Sequence, residues 1–341
     1  MTKARSSADF AAGGPQVAGK NAIINGGMDI WQRGTTSASI TTSQVYTADR
    51  WTAVTGASTG TVVSRQTTSD TTNLPFIQYC ARVQRSSGQT GTSLVQFAQS
   101  IESVNSVRYA GQSVTLSFYA RAGANYSSAS NALNVLMLTG TGTDQQVLVG
   151  YTGSVSAINS FATLTTTWQR FTFTATLATN TNEIGVDFYY TPVGTAGAND
   201  YFEVTGVQLE LGSVATPFSR AGGTIQGELA ACQRYYYRAV AATGYGILAP
   251  VAYTNTTTQA TGNIQFPVTM RVAPTSLDSS AISFLRYADT AFNMSSVALS
   301  ANNNAFCTSI TGTVSGATAG TVGRITGAND ATAYLGFSAE L

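Results

Sequence analysis

Gly227–Arg238 reads GELAACQRYYYR, and the chain changes character there. Glu228, Leu229, Ala230, Ala231 and Cys232 form one of its few runs of good helix formers, and Tyr235, Tyr236 and Tyr237 follow with high strand propensity. The stretch predicts a short helix or turn that feeds a strand. Upstream, a Thr/Ser/Gly-rich strand pattern closes at Pro217–Phe218, and downstream a second pattern runs to the last residue. The expected architecture is all-β, two β domains with a short helical joint between them.

Length agrees, because 341 residues exceed one small core and fit roughly two domains of about 150 residues each. Charged residues are only 10% of the chain, and the formal net charge is +1. Polarity comes from Thr, Ser, Gly, Asn and Gln, a surface with little long-range pull on nucleic acid or acidic lipid. Histidine is absent, which removes the commonest general base and metal ligand together. Cys80, Cys232 and Cys307 are far apart and lack CxxC spacing, so they read as small buried hydrophobes, with no zinc site or disulfide framework. No apolar run reaches the roughly 20 residues of a membrane span, and MTKARSSADF lacks a signal-peptide apolar core. Synthesis in a cytoplasm and release by lysis is the expected route, with no membrane insertion and no nucleic-acid partner.

Moving outward from the joint, residues 21–220 show short alternating strands. In Ser113–Ala120, Val114, Leu116 and Phe118 alternate with Ser113, Thr115 and Ser117, the period of a half-buried strand. Phe171, Phe173 and Ala175 alternate with threonines in the same way within Trp168–Thr176. Further strands are expected at Gly60–Arg65, Gln78–Gln84, Ser93–Ile101, Asn134–Leu138, Glu183–Tyr190 and Tyr201–Leu211. This spacing predicts a sandwich or jelly roll. Lys20–Trp51, KNAIINGGMDIWQRGTTSASITTSQVYTADRW, has an Asn25-Gly26-Gly27 turn amid apolar residues and reads as a strand entering that sandwich, with Asp49–Arg50 as an ion pair or cap.

These words carry a resemblance. KNxIINGxMxIWQRG followed by YTADRW resembles the start of a β-sandwich domain that recurs in bacteriophage tail-fibre and other virion appendage proteins. TTTWQRFTFTATL and YFEVTGVQLELGSVATPF look like two late strands of the galactose-binding-like jelly roll of carbohydrate-binding modules, which phage appendages also carry. The resemblance covers roughly Lys20–Arg220. GELAACQRYYYR, FPVTMRVAPT and the terminal LGFSAEL likewise resemble phage fibre sequences, the first as the opening of a C-terminal β domain. MTKAR and ADF near the start resemble the peptide that seats phage fibres on the particle, with Lys3, Arg5 and Phe10 as attachment candidates. The implied layout is a virion-attachment arm (1–20), a jelly-roll sandwich (21–220), a joint (221–238) and a C-terminal β-sandwich knob (239–341), assembled as a homotrimer.

Within the knob, strands are expected at Asn263–Arg271, Ser280–Tyr287 and Ala331–Leu341, with loops at Ser300–Asn304 and Thr311–Gly320. Its core looks marginal for about 100 residues, and trimerisation would remedy that. Tyr235, Tyr236 and Tyr237 are the candidates for trimer or interdomain packing, with Arg234 and Arg238 as partners of Glu228. Tyr245, Tyr253, Tyr287 and Phe292 are the candidates for receptor contact, because loop aromatics among Asn and Ser suit low-charge recognition of a glycan or surface protein. Core packing is the plainer reading of Trp31, Trp51 and Trp168, against stacking on a sugar face. Asp187, Asp200 and Glu203 can be imagined as a glycosidase carboxylate pair, with a loop and strand start as the plainer reading of Asp200 and Glu203. Asn199 and Asp200 offer at most a structural calcium, and no cofactor is expected. The expected function is a structural, non-enzymatic phage fibre in the virion, bound to other virion proteins and to a host surface glycan or receptor. A head fibre or capsid decoration protein is the alternative, and a carbohydrate-active depolymerase the second alternative.

Overall fold

A computed structural model describes residues 18–41, 43–56, 60–287 and 290–341. Lys3, Arg5 and Phe10, and most of the expected arm, lie outside the described residues. The chain separates into two units, 1–231 with Leu341 and 232–340.

In chain order, the first unit holds β1 (Val45–Tyr46), β2 (Thr52–Thr55), β3 (Thr61–Thr67), β4 (Tyr79–Arg85), β5 (Val95–Ile101), the short helix α1 (Ser103–Ser106), β6 (Ser113–Ala122), β7 (Ala132–Gly140), β8 (Val155–Thr163), β9 (Gln169–Thr176), β10 (Glu183–Tyr190) and β11 (Tyr201–Leu211). Two sheets form, a six-stranded one in the order β1-β2-β5-β10-β7-β8 and a five-stranded one in the order β3-β4-β11-β6-β9. From β5 onward the chain crosses repeatedly between them, which makes a jelly-roll sandwich. The alternation in β6 decides its orientation: Val114, Leu116, Phe118 and Ala120 are fully buried in the core between the sheets. Phe118 stacks on Phe171 and Phe173 of the neighbouring β9, at 5.6 and 6.2 Å between ring centres, and meets Phe188 of the opposite sheet edge-on at 4.7 Å. Such aromatic contacts join the two layers beyond simple area burial. β8 escapes the sequence reading because it is an edge strand that buries little besides Ile158 and Ala162, so no alternation marks it.

The opening motif is a knot of buried amides. Asn21 Nδ2 donates to the carbonyls of Val207 and Ser219, while its Oδ1 accepts from the backbone of Ile23 and Leu209. Asn25 does the same locally, donating to the Ile30 and Asp49 carbonyls and accepting from the Ile30 amide. Gly26 is obligatory, since a Cβ there would lie 2.1 Å from the Val207 carbonyl oxygen.

Helix α2 (Ile225–Gln233) begins where Thr224 accepts the Gly227 amide on its hydroxyl and the Glu228 amide on its carbonyl. Its first turn packs against Gly222, where Gly222 and Gly227 approach too closely for a Cβ on either. Glu228 is fully buried and accepts the backbone N–H groups of Asn25 and Gly222. It is thus a backbone clamp, and the expected pairing with Arg234 or Arg238 is corrected. Burial raises its carboxyl above the ordinary range, and those two N–H bonds oppose the rise. Glu228→Ala orphans two buried donors, so we expect a loss of about 2–4 kcal/mol in denaturant unfolding. Glu228→Gln, which keeps an acceptor, should recover part of it; a loss under ~1 kcal/mol in the alanine variant would mean that water replaces the clamp.

The second unit runs through β12 (Tyr236–Val240), β13 (Ile247–Thr254), β14 (Gln259–Gln265), β15 (Ser276–Ser280), β16 (Ile282–Arg286), β17 (Ala291–Asn293), β18 (Ser295–Leu299), β19 (Cys307–Thr313), β20 (Val322–Gly327) and β21 (Tyr334–Ser338). They form a three-stranded sheet, β12-β21-β15, and a seven-stranded sheet, β17-β16-β20-β13-β14-β19-β18. One core serves both, with Ala249, Ala252, Ala260, Phe284, Ile325 and Phe337 fully buried. Several boundaries differ from expectation. The strand expected at Asn263–Arg271 stops at Gln265, because Pro267 has no N–H for the ladder. The expected loop at Thr311–Gly320 begins with the end of β19, and the final strand spans only Tyr334–Ser338.

Candidate functional site

The three tryptophans are structural. Trp31, Trp51 and Trp168 are 8%, 0% and 6% exposed. Trp51 stacks on Phe97 at 4.8 Å and donates its indole N–H to the Asn25 carbonyl, so no face is open to a sugar.

The carboxylates do not converge. Val186 and Phe188 of β10 point into the core, which puts Asp187 on the outer side of the six-stranded sheet; Phe202 and Val204 of β11 likewise put Glu203 on the outer side of the five-stranded sheet. With packed sheets about 10 Å apart, the two lie on opposite flanks and make no glycosidase pair. Glu203 is also spent: one oxygen takes Arg82 at 2.6 Å and the other Arg121 at 2.5 Å. Those arginines lie in turn over the rings of Tyr201 and Trp168, at 3.9 and 4.8 Å. Asp200 is paired with Arg85 and accepts both the hydroxyl and the amide of Ser127. Both carboxylate oxygens of Asp200, the residue read with Asn199 as a calcium candidate, thus have protein partners. No grouping of His, Cys, Asp or Glu suited to a metal occurs among the described residues.

Tyr235 and Tyr236 are each 1% exposed in the single chain, which leaves no ring surface for packing on a second copy. The Tyr236 hydroxyl donates to Asp278, whose carboxylate pairs with Arg238 at 2.9 Å. Tyr237 packs on Phe266 and Phe337, at 6.2 and 6.3 Å. Tyr235 and Tyr236 are therefore packed within the single chain, and Tyr237 is half-buried against its core.

Two of the four receptor candidates do come together. Tyr245 and Tyr287, 42% and 62% exposed, line one open groove of about 580 Å³ with Arg286, Thr290 and Arg324. The β16–β17 hairpin builds one wall. Its closure is a backbone bond from the Arg286 amide to the Thr290 carbonyl, 3.0 Å, and the Arg286 guanidinium donates to the Thr290 hydroxyl at 2.9 Å. Tyr287 is held upright by donation from its hydroxyl to the Pro250 carbonyl, 3.2 Å. Tyr245 sits at φ 59°, a left-handed backbone that turns its ring out of the 243–246 turn. β20 contributes Arg324, one register step from Arg286, since Leu285 pairs with Arg324 and Arg286 with Gly323. Phe292 is not part of the groove and is corrected to a core residue, half-buried against Phe284 at 6.3 Å. Tyr253 is 43% exposed on β13 and stands apart from the groove. Sequence reading missed Arg286 and Arg324, for only strand pairing brings them together.

A second depression, of about 290 Å³, belongs to the first unit. Phe76, 65% exposed, lines it together with Leu74, Tyr119, Arg170 and Phe218.

The chain matches no protein-family model and no curated protein. Among solved structures it is similar to a CBM4 module, 23% identical with a TM-score of 0.28 over 39% of this chain and 71% of the module. It is also similar to the CBM22-1 xylan-binding domain of Paenibacillus barcinonensis Xyn10C, 12% identical with a TM-score of 0.33 over 58% of this chain and 98% of that domain. A third is the enzymatically active domain of tailspike protein 4 from bacteriophage CBA120, 13% identical with a TM-score of 0.35. That match spans 56% of this chain and 21% of the tailspike chain.

Proposed function

We propose that this chain is a structural, non-enzymatic fibre protein of a bacteriophage virion, seated on the particle through residues 1–20, which meets a host surface glycan through its second unit. The observation that carries the reading is the groove of Tyr245 and Tyr287: two exposed rings anchored by backbone geometry, beside guanidinium donors, on a chain that is otherwise nearly uncharged. Rigid aromatic faces with a few polar groups at their edge are the chemistry that sugar recognition uses. The phage-like wording of Lys20–Trp51 and Gly227–Arg238 supports the virion setting, and the separation of Asp187 from Glu203 supports a binding role over hydrolysis. A homotrimer would place three such grooves on one fibre, and linkage would multiply modest affinities.

The test is binding of fluorescently labelled protein to cells of the bacterial host. Tyr245→Ala combined with Tyr287→Ala should lower cell-bound signal at least tenfold, while Tyr253→Ala leaves it unchanged. Full binding by the double variant would remove the groove from the reading.

A further inference from the structure

We infer that the first unit pairs with a second copy of this chain along the free edge of β9, antiparallel about a twofold axis that sets Thr172 against its own counterpart. The starting observation is how unequally the sandwich treats its two flanks. At one, β1 has only two residues, and the outer edge of β3 is taken by residues 35–40. There the Ser37 and Ile40 amides donate to the Val63 and Thr61 carbonyls at 2.8 and 2.7 Å, and the Arg65 amide donates to the Thr35 carbonyl at 2.8 Å. At the other flank, β8 and β9 end their sheets side by side. Among the described residues no backbone bond from outside β7 reaches β8, and none from outside β6 reaches β9. The core is also least covered there: of the six half-buried apolar residues at its rim, Ala157, Phe171, Phe173 and Ala175 line this flank.

Free edges are ordinarily blunted, because their unpaired N–H and C=O groups are a template for another strand. β8 is blunted by a bulge, where its register against β7 shifts between Met137 and Leu138. β9 is not. It pairs with β6 without interruption and has neither Pro nor Gly, and its one charge, Arg170, is turned onto the outer face, to the Thr216 carbonyl and the Tyr119 ring. The strand is also its own complement. When it runs antiparallel to a copy about Thr172, Phe171 meets the copy's Phe173 and Phe173 its Phe171 on the inner face, while Thr172 meets Thr172 and Arg170 meets Thr174 on the outer one. Two aromatic pairs form and no like charges face each other, which is the self-complementarity a twofold contact needs. Seven paired residues span about 23 Å, and with sheets about 10 Å apart the flank offers on the order of 500 Å² per copy. That is the low end for a specific interface, so the pairing is reversible. The contact is separate from the receptor groove and from the threefold assembly of the reading above, and its signature is an even number of chains.

The experiment is sedimentation velocity of the full chain over a range of concentrations, with amide hydrogen exchange read on Gln169–Thr176. The parent should show concentration-dependent species with an even number of chains, and exchange in β9 should slow as they form. Thr172→Lys, a change at an exposed position, sets two like charges face to face and should weaken the pairing about tenfold, whereas Thr172→Val should leave it intact. Unchanged far-UV circular dichroism of both variants shows that the fold is kept. Cys80 and Cys232 are buried and Cys307 is exposed, so a Cys307→Ser background leaves no accessible thiol. In that background Thr172→Cys should be cross-linked by mild oxidation into a covalent pair, because opposed antiparallel positions lie within disulfide reach. Ser64→Cys, on the covered flank, should not. A parent that stays monomeric at every concentration overturns the inference, and so does an assembly that Thr172→Lys leaves intact and that oxidation at position 172 does not cross-link. Cell binding by the tyrosine variant tests the receptor groove separately in either case.

Discussion

Arg85→Met lowers the stability of the first unit by about 3–5 kcal/mol, the range for orphaning one member of a buried ion pair. Neither side chain of the Arg85–Asp200 pair has any solvent exposure, and Nη1 lies 2.8 Å from Oδ2. The guanidinium is also a hub for backbone: Nη2 donates to the carbonyls of Gln89, Gly91 and Gly194, at 3.0, 2.7 and 3.2 Å. Asp200 in turn holds the Ser127 amide at 3.0 Å and its hydroxyl at 2.8 Å. One pair therefore gathers three loops at the same end of the sandwich. Methionine fills similar volume but leaves a carboxylate without a counter-charge and several carbonyls without donors. Adding Asp200→Leu should return part of the loss, because the isolated charge is the costliest element. Scanning calorimetry of the full chain should show one transition shifting on the order of 10 °C for the single variant. A shift of a degree or less would mean that water enters and solvates Asp200.

This hub was half legible. Asp200 was visible as a candidate carboxylate, but its partner lies on β4, far away in sequence, and nothing local announces a pair. The same limit governs the groove, where Tyr245 and Tyr287 were visible as loop aromatics while Arg286 and Arg324 became neighbours only through β16–β20 pairing. Strands were legible where large apolar residues alternate, as in β6 and β9. They were obscure where the inward set is small or polar. In β19 the inward residues are Thr308, Ile310 and Gly312, and Gly312 lies against the end of the Met294 side chain, 2.5 Å from where a Cβ would stand. Such a strand reads as loop composition yet packs as a core strand. The opening motif is a similar case: the Asn25-Gly26-Gly27 turn was readable, whereas Asn21 and Asn25 as clamps on distant backbone were not.

Between pH 4 and 7 the first unit should lose stability as pH rises, and Asp187 is the main cause. Asp187 sits mid-strand on β10, opposite Ala98 of β5 and Leu136 of β7. Val147 and Tyr151 pack onto Ala98 over this outer side of the sheet, and Asp187 is left 2% exposed. Burial pushes its carboxyl up to about 7, against the opposing pull of Gln96, whose Nε2 donates to Oδ2 at 2.6 Å. Its Oδ1 has no partner among the described residues. The folded chain therefore keeps a proton that the unfolded chain releases above its ordinary value of 3.8. Stability from this group is complete below that value and is lost as pH climbs through about 7. Three units or so at about 1.4 kcal/mol each put the loss on the order of 4 kcal/mol. Glu228, also raised by burial, works in the same direction, whereas Asp70 is held low by turn hydrogen bonds and acts only in more acidic solution. Asp187→Asn separates these contributions, because an amide keeps an acceptor for Gln96 and has no proton to lose. Urea unfolding at pH 5 should find the variant and the parent similar, and at pH 8 the variant should be the more stable by several kcal/mol. An asparagine variant that retained the parental slope, or was weaker at pH 8, would show that Asp187 reaches solvent when it ionises.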